Sequence, residues 1–182
     1  SEGNTICYRI PAIATAKNGN VIALTDYRYG GQDIGFGRVS LRYRISKDNG
    51  ETWGDITTLQ ESRQGAYGVD KANDLWAGFG DPCVVADRES NRVLAMSCCG
   101  NVSYPAGTFA HHQGIARFRS EDAGETWTTF GDPVDGIECH WQDISEPIYQ
   151  KFKDGGVDVA AMFVGSGRIF QSRFTKVGDY YR

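Results

Sequence analysis

The chain has 182 residues, of which 23 are glycine and 12% are aromatic, and its formal net charge is −4. Abundant glycine, tyrosine and tryptophan with short alternating apolar runs is typical of an all-β protein rather than a helical one. The slight acidity argues against nucleic acid as a partner, because nucleic-acid binding calls for a clustered basic patch. No apolar run approaches the length of a transmembrane span.

Alternating residues and turn signals predict a series of short strands along the chain. The predicted strands are 10–15, 20–27, 38–45, 82–87, 92–98, 114–119, 157–164, 168–175 and the start of one at 179–182. A glycine-rich loop is predicted at 30–37. Residues 55–79 are polar and poorly periodic, which indicates a long, often functional connection. Residues 131–156 are ambiguous, with a turn at 153–156.

The pattern S-x-D-x-G-x-T-W occurs twice, at residues 46–53 and 120–127. An internal repeat of this kind is a strong signal of a repeated architecture. Its aspartate can accept hydrogen bonds from backbone N–H groups of a turn, and its glycine supplies the positive φ that closes the turn. A predicted strand precedes each copy. We therefore predict that both copies form hairpin turns at equivalent places, with the tryptophans in structural roles.

The repeated pattern resembles the Asp-box of sialidases, and three further segments resemble that family. Residues 8–11, Y-R-I-P, are similar to the signature that opens the sialidase catalytic domain. Residues 26–29, D-Y-R-Y, and the glycine-rich segment 30–35 resemble the stretch that contains a pocket arginine and the catalytic aspartic acid. Residues 80–82, G-D-P, are similar to the segment with a pocket aspartate. All of these stand in the order that the family has.

The resemblance implies a β-propeller, which has six blades in this family. A blade takes roughly 40–50 residues, so the chain has room for at most about four, and the wide spacing of the boxes favours three. We therefore expect residues 1–182 to be the N-terminal part of a bacterial-type exo-α-sialidase catalytic domain, covering about its first three blades. The missing C-terminal half of the propeller is then an expected partner. A secreted or periplasmic location, with an upstream signal removed, is also expected.

The resemblance also implies four site residues. Arg9 corresponds to one of three arginines that clamp the carboxylate of sialic acid, and a planar fork of donors suits a carboxylate. Asp33, on a loop expected to be mobile, corresponds to the general acid and then general base. Arg28 and Asp81 correspond to substrate-binding pocket residues. The alternatives are a surface arginine for Arg9, an exposed turn aspartate for Asp33, and a routine turn former for Asp81.

Other candidates remain less specific. Four aromatic residues either form an apolar wall for the N-acetyl methyl group or simply pack under loops: Trp76, Phe79, Tyr104 and Phe109. No metal or cofactor is expected, because the adjacent His111 and His112 would diverge on a strand and lack a third ligand. The five cysteines lack metal-ligand spacing, and buried free thiols are favoured over disulfides. Cys98 and Cys99 should point to opposite faces of a strand.

The family mechanism uses a tyrosine nucleophile activated by a glutamate, with retention of configuration. That tyrosine, its glutamate and two clamp arginines correspond to later blades, and Glu146 is interpreted as structural or peripheral. The leading hypothesis is therefore an exo-α-sialidase that acts on sialylated glycans, of which this chain supplies a part. The alternatives are a trans-sialidase, a non-catalytic Asp-box propeller that binds carbohydrate or protein, and an inactive truncated or split product.

Overall fold

The computed structural model describes residues 7–178 and 180–181. The strands are β1 (Cys7–Thr15), β2 (Val21–Arg28), β3 (Val39–Ser46), β4 (Thr57–Gln60), β5 (Phe79–Ala86), β6 (Val93–Cys99), β7 (Gly114–Ser120), β8 (Gln142–Asp143), β9 (Gly167–Arg168), β10 (Lys176–Val177) and β11 (Tyr180–Tyr181). The described residues contain one α-helix, α1 (Glu146–Asp154). Of the strand predicted to start at 179–182, positions 179 and 182 lie outside the described residues.

Strands β1 to β9 form two sheets with the same internal order. The first has the order β1-β2-β3-β4, and every neighbouring pair is antiparallel. The second has the order β8-β7-β6-β5-β9, in which β5 to β8 repeat the antiparallel meander and β9 joins β5 in parallel. A four-stranded antiparallel meander is the unit from which propeller blades are built. The expectation of an all-β protein is confirmed, with two such units in the described residues and a separate β10–β11 hairpin.

Both Asp-boxes fold into the same hydrogen-bonded turn. In the first box, Asp48 Oδ1 accepts the Thr52 N–H at 2.8 Å and the Ser46 hydroxyl at 2.7 Å. The Gly50 N–H donates to Ser46 Oγ at 2.7 Å, and Gly50 has a φ of 93°. The corresponding distances in the second box are 2.9, 2.8 and 2.9 Å. The boxes follow β3 and β7, which are equivalent strands, so the prediction of equivalent turns is confirmed.

The second box is also part of the contact between the two sheets. A Cβ atom placed on Gly124 would lie 2.9 Å from the Ile22 side chain of the first sheet. Asn20 donates its side-chain N–H to the Ala123 carbonyl at 3.3 Å, at the same junction. Trp127 is buried and meets Tyr43 edge-on, with ring centroids 5.9 Å apart. Trp127 therefore has the structural role that the repeat predicts.

The C-terminal third of the chain differs most from the sequence prediction. Helix α1 lies in the ambiguous segment, and its buried residue is Tyr149. Residues 157–164 were predicted as a strand, but no strand forms there. Their backbone donates instead to side chains: the Met162 N–H bonds to the Tyr149 hydroxyl at 2.7 Å and the Val164 N–H to the Cys98 sulfur at 3.5 Å. Of the predicted strand 168–175, only its first residue belongs to a strand, β9.

Four of the five cysteines are buried, as the sequence predicts, whereas Cys7 is only half-buried. All five are free thiols. Cys98 packs with Ile34 and Val39, whereas Cys99 belongs to the main core between the sheets, so the two neighbours do face opposite sides of β6. Burial raises the pKa of Cys98 to about 12, which keeps this thiol protonated and inert. Among residues 7–178 and 180–181, none of the helices has the length and apolar character that crossing a bilayer requires.

Candidate active site

The four residues singled out in the sequence lie at the same end of the two sheets. Arg9 is in β1, directly opposite Asp26 of β2. Arg28 ends β2, and Asp33 lies in the loop that follows it. Asp81 is near the start of β5, in the second sheet, and its backbone N–H donates to Asp26 Oδ1 at 3.2 Å. Strand pairing and this bond between sheets bring together residues that are far apart in the sequence.

Arg28 is the buried centre of the cluster. Its Nε and Nη2 donate to Asp26 Oδ2 at 3.0 and 2.8 Å, and Nη2 also lies 3.0 Å from Asp33 Oδ1. The Arg28 side chain is 2% exposed and that of Asp26 is 0% exposed, whereas that of Asp33 is 49% exposed. The two carboxylates raise the pKa of Arg28 against the opposing effect of burial, so the guanidinium is positively charged. The buried guanidinium of Arg28 thus forms an ion pair with the exposed carboxylate of Asp33 on the side away from solvent.

The loop that contains Asp33 is anchored to both sheets. Its neighbour Ile34 is 3% exposed and packs with Val39 and Cys98. At Gly35, with a φ of 83°, an added Cβ would lie 2.1 Å from the Ser103 backbone nitrogen, so the two backbones are in direct contact. Ile34 and Gly35, which directly follow Asp33, therefore hold this side of the loop against both sheets, whereas Gln32 before it is exposed. Closure of the loop over substrate stays a prediction.

Asp81 lies at an irregularity in β5. The register shifts between Gly80 and Cys83, and Asp81 has a φ of 53°, which is rare for a residue other than glycine. Burial, followed by the charge of Asp33, raises the pKa of Asp81, while the nearby charges of Arg28 and Arg9 oppose that rise. The bulge turns this side chain out of the strand's regular alternation and towards Asp33.

A small cavity of about 120 Å³ opens between Asp33 and Asp81. The remaining lining residues are Ile34, Phe36, Ser103, Tyr104, Pro105, Gln113 and Phe163. Tyr104 and Phe163 meet edge-on with ring centroids 5.9 Å apart, and Phe36 is 60% exposed. A larger groove of about 380 Å³ on the first sheet is lined mainly by apolar side chains and contains no carboxylate. The smaller cavity is the one with groups suited to acid–base chemistry.

Arg9 lies beside this cavity rather than in its wall. Its side chain is exposed, and its carbonyl accepts the Thr25 hydroxyl at 2.6 Å. Among the described residues, Arg9 forms no ion pair, although its charge acts on Asp81. An exposed guanidinium without a carboxylate partner in the described part of the chain is suited to an anionic ligand. Its role as a carboxylate clamp stays a prediction.

Of the four candidate aromatic residues, only Tyr104 lines the cavity. Trp76 and Phe79 belong to the core, where each packs edge-on against Trp141 with centroid distances of 5.4 and 5.1 Å. Phe109 packs against Tyr149 at 6.4 Å. Of the two roles considered for these aromatic residues, Tyr104 therefore has a place in the wall of the candidate site, and the other three pack elsewhere.

The histidines are engaged in structural contacts. His111 Nε2 is 2.9 Å from Asn101 Oδ1, and His112 Nδ1 is 2.8 Å from the Phe109 carbonyl. Glu146 is largely exposed at the start of α1, 3.9 Å from His112 Nε2. Within the described ranges, no group of three or more His, Cys, Asp or Glu side chains is arranged to hold a metal ion.

Sequence reasoning missed several residues of the site. Asp26 belongs to the D-Y-R-Y motif but was not predicted as a site residue, although it lies two residues before Arg28 on the same face of β2, a spacing that predicts proximity. Phe36 lies in the glycine-rich stretch 30–37, so its closeness to Asp33 in the sequence was a signal that it belongs to the site. Ser103, Gln113 and Phe163 had none, because they reach the cavity through tertiary packing.

Comparison with known proteins places this geometry in a context. No protein-family model matches the chain. The chain is 29% identical over 136 residues to a sialidase of Paraclostridium sordellii, which covers 72% of this chain and 30% of that protein. It is 26% identical over 136 residues to a sialidase of Bacteroides fragilis (strain YCH46), which covers 70% of this chain and 24% of that protein. The chain is related to the sialidases.

The relation extends to the fold. The chain is similar to the solved structure of the intramolecular trans-sialidase from Ruminococcus gnavus, with a TM-score of 0.67 and 14% identity over 91% of this chain and 52% of that one. This likeness confirms the expected propeller-type fold of sialidases. The chain spans only about a quarter to a third of the length of the two bacterial sialidases.

Proposed function

We propose that the chain is the N-terminal part, residues 1–182, of an exo-α-sialidase that releases terminal sialic acid from glycoconjugates with retention of configuration. The observation that carries the proposal is the pairing of Asp33 and Asp81 across one cavity, with Arg28 buried behind Asp33. The sialidase relatives support the same reaction class. A module that only binds carbohydrate does not require an exposed carboxylate held in this way, which is why catalysis is favoured over binding.

In this proposal Asp33 acts on the glycosidic oxygen. As the bond between the anomeric carbon and that oxygen breaks, the carboxylic acid of Asp33 donates its proton to the departing oxygen. The resulting carboxylate then accepts a proton from the water that releases sialic acid from the enzyme. The sialic acid carboxylate binds to Arg9, whose planar fork of N–H donors fits it bidentately.

The remaining parts of the mechanism lie outside this chain in the proposal. A tyrosine nucleophile, its glutamate and two further clamp arginines come from the C-terminal part of the propeller, the partner expected from the sequence. Sialylated glycans are the proposed substrates. Because such glycans are found on cell surfaces and secreted proteins, a secreted or periplasmic location is proposed as well.

A trans-sialidase is the second candidate, because the chain is similar in fold to an intramolecular trans-sialidase. It differs in the acceptor, which is a hydroxyl group of a sugar in place of water. The two are separated by their products, since hydrolysis yields free sialic acid and intramolecular transfer yields an anhydro sugar.

The proposal is tested by following the products of the complete catalytic domain on a sialylated lactose by proton NMR. A retaining sialidase gives the α-anomer of sialic acid first, and mutarotation follows. Release of the β-anomer first, or no release at all, contradicts the proposal. Arg9→Lys should weaken the binding of carboxylate-bearing inhibitors about tenfold or more, because a lysine cannot replace the bidentate fork.

A further inference from the structure

Asp26 connects the elements of the candidate site. It is 0% exposed, and both of its oxygens accept hydrogen bonds. Oδ2 accepts Nε and Nη2 of Arg28 at 3.0 and 2.8 Å, and Oδ1 accepts the Asp81 N–H at 3.2 Å. A single buried carboxylate therefore links the end of β2 to the bulge in β5 of the other sheet.

Asp26 binds the Arg28 guanidinium, which contacts Asp33, and the backbone N–H of Asp81, so both cavity carboxylates depend on it. Arg28 Nη2 bonds to Asp26 and also lies 3.0 Å from Asp33 Oδ1, so fixing the guanidinium fixes the contact of Asp33. The Asp81 N–H belongs to a residue in the left-handed region, with a φ of 53°. Such a conformation is strained and persists only when its surroundings enforce it. The hydrogen bond to Asp26 is one such constraint.

We propose that Asp26 is a positioning residue, which holds Arg28 and the Asp81 bulge so that Asp33 and Asp81 face the cavity in a catalytically competent arrangement. This inference rests on the proposed function, in which Asp33 is the acid and base. Asp26 does not touch the substrate. It acts through Arg28 and through the backbone of Asp81, and no motif in the sequence assigns it a role.

The charges around Asp26 make this role dependent on pH. Arg28 of β2, Asp81 of β5 and Cys98 of β6 are the ionisable groups that face it, with Asp33 beyond Arg28 and Arg9 acting on Asp81. Burial raises the pKa of Asp26 to about 7, although hydrogen bonding and the charge of Arg28 oppose the rise.

All three of these bonds are donated to Asp26, so the arrangement fits the ionised carboxylate. Protonation of either Asp26 oxygen weakens its hydrogen bonds to Arg28 and to the Asp81 N–H. Asparagine at this position has the same effect, because its amide group replaces one acceptor with a donor. Above pH 7 the wild-type protein has the carboxylate that Asp26→Asn lacks. Below pH 6 Asp26 of the wild type is mostly neutral, so the side chain at position 26 is uncharged in both the wild type and Asp26→Asn.

The test compares kcat of the wild type, Asp26→Asn and Asp132→Asn in the complete catalytic domain between pH 5 and 8.5. Asp132 is an exposed carboxylate in the loop between β7 and β8, so it is a matched loss of charge. At pH 8 we expect Asp26→Asn to lower kcat about tenfold to a hundredfold, the cost of a misplaced catalytic group. KM should change little, the ratio of the two kcat values should approach one below pH 6, and Asp132→Asn should match the wild type throughout.

A kcat loss that is independent of pH, or no loss at pH 8, overturns the inference. If Asp26→Asn does not fold, Arg28→Lys decides, because a lysine cannot bond twice to Asp26 and also reach Asp33. An unchanged kcat in Arg28→Lys overturns the inference, and a similar loss supports it. If the wild type has no sialidase activity, the proposed function fails, while a crystal structure of Asp26→Asn at pH 8 still tests the positioning. Arg28 Nη2 within hydrogen-bonding distance of Asp33 would contradict it, and a displaced guanidinium would support it.

Discussion

Ile10 and Asp81 occupy equivalent positions in the two sheets and share an unusual backbone conformation, with φ values of 52° and 53°. Each directly precedes a proline and lies at a register shift in the first strand of its meander. The internal repeat therefore extends beyond the Asp-boxes to a second feature at the site end of the sheets. In β1 the bulge follows Arg9, and in β5 it contains the aspartate that lines the cavity.

The bulge at Ile10 predicts an unusual tolerance of glycine. A β-branched residue with positive φ costs about 1–2 kcal/mol, which Ile10→Gly recovers and so offsets the lost side chain. Ile13→Gly is the matched control, since Ile13 is 58% exposed in the regular part of the same strand. We expect Ile13→Gly to lower the free energy of unfolding by about 1 kcal/mol and Ile10→Gly to lower it less. Urea denaturation measures both, and a larger loss for Ile10→Gly would show that its side chain outweighs the strain.

The two Asp-box glycines provide a second comparison. Gly50 and Gly124 have φ values of 93° and 84°, so alanine at either position meets the same backbone penalty. Only at Gly124 does the new Cβ collide with another residue, at 2.9 Å from Ile22. We expect Gly124→Ala to lower the free energy of unfolding by at least about 1 kcal/mol more than Gly50→Ala. Equal losses would mean that the second box does not contribute to the contact between the sheets.

The sequence predicted the repeated part of this fold well and the unrepeated part poorly. Strand β2 and the second half of β3 alternate between buried and more exposed positions because one face packs in the core, and this leaves a periodic pattern in the sequence. Helix α1 is only nine residues long with Tyr149 as its one buried residue, so its amphipathic pattern is too short to distinguish it from the polar segment around it. Residues 157–164 look like a strand but bond to Tyr149 and Cys98, contacts that no local pattern records.

The same distinction applies to the candidate site. Motifs marked Arg9, Arg28, Asp33 and Asp81 because each lies in a short, ordered segment. Gln113 and Phe163 reach the cavity from other loops, and no motif in the surrounding sequence predicts that they line it. The glycines of the Asp33 loop suggested mobility, yet Gly35 lies directly against the Ser103 backbone, a contact that the sequence does not record.

Anchoring of that loop gives a prediction with its own internal control. Gly35→Ala places a Cβ 2.1 Å from the Ser103 backbone, whereas Gly30→Ala, in the same loop and with φ 72°, meets no atom within 4 Å. We expect Gly35→Ala to reduce kcat of the complete domain about a hundredfold by displacing Asp33. Gly30→Ala should keep most of the activity. Similar kcat values for the two variants would indicate that the contact with Ser103 does not place Asp33.

Burial of Asp26 predicts how stability depends on pH. Its pKa is raised from 3.8 to about 7 in the folded chain, so its neutral form favours folding. This contribution is fully present below pH 4 and is lost as the pH rises to 7, by on the order of a few kcal/mol. Asp26→Asn, which is neutral throughout, should show a flatter profile over the same range. Denaturation at pH 4.5, 6 and 7.5 measures this, and identical slopes for the two proteins would contradict it.

The most direct test of the account is the dependence of Asp33→Asn on the leaving group. Asparagine keeps the size of the side chain but has no proton to donate to a departing oxygen. In the complete catalytic domain, we expect kcat for a natural sialoside, whose leaving oxygen is strongly basic, to fall about 10²- to 10⁴-fold. Cleavage of an activated aryl sialoside should fall far less, because its leaving group requires little protonation. Equal losses on both substrates would contradict the account and would mean that Asp33 holds the substrate without acting as its acid.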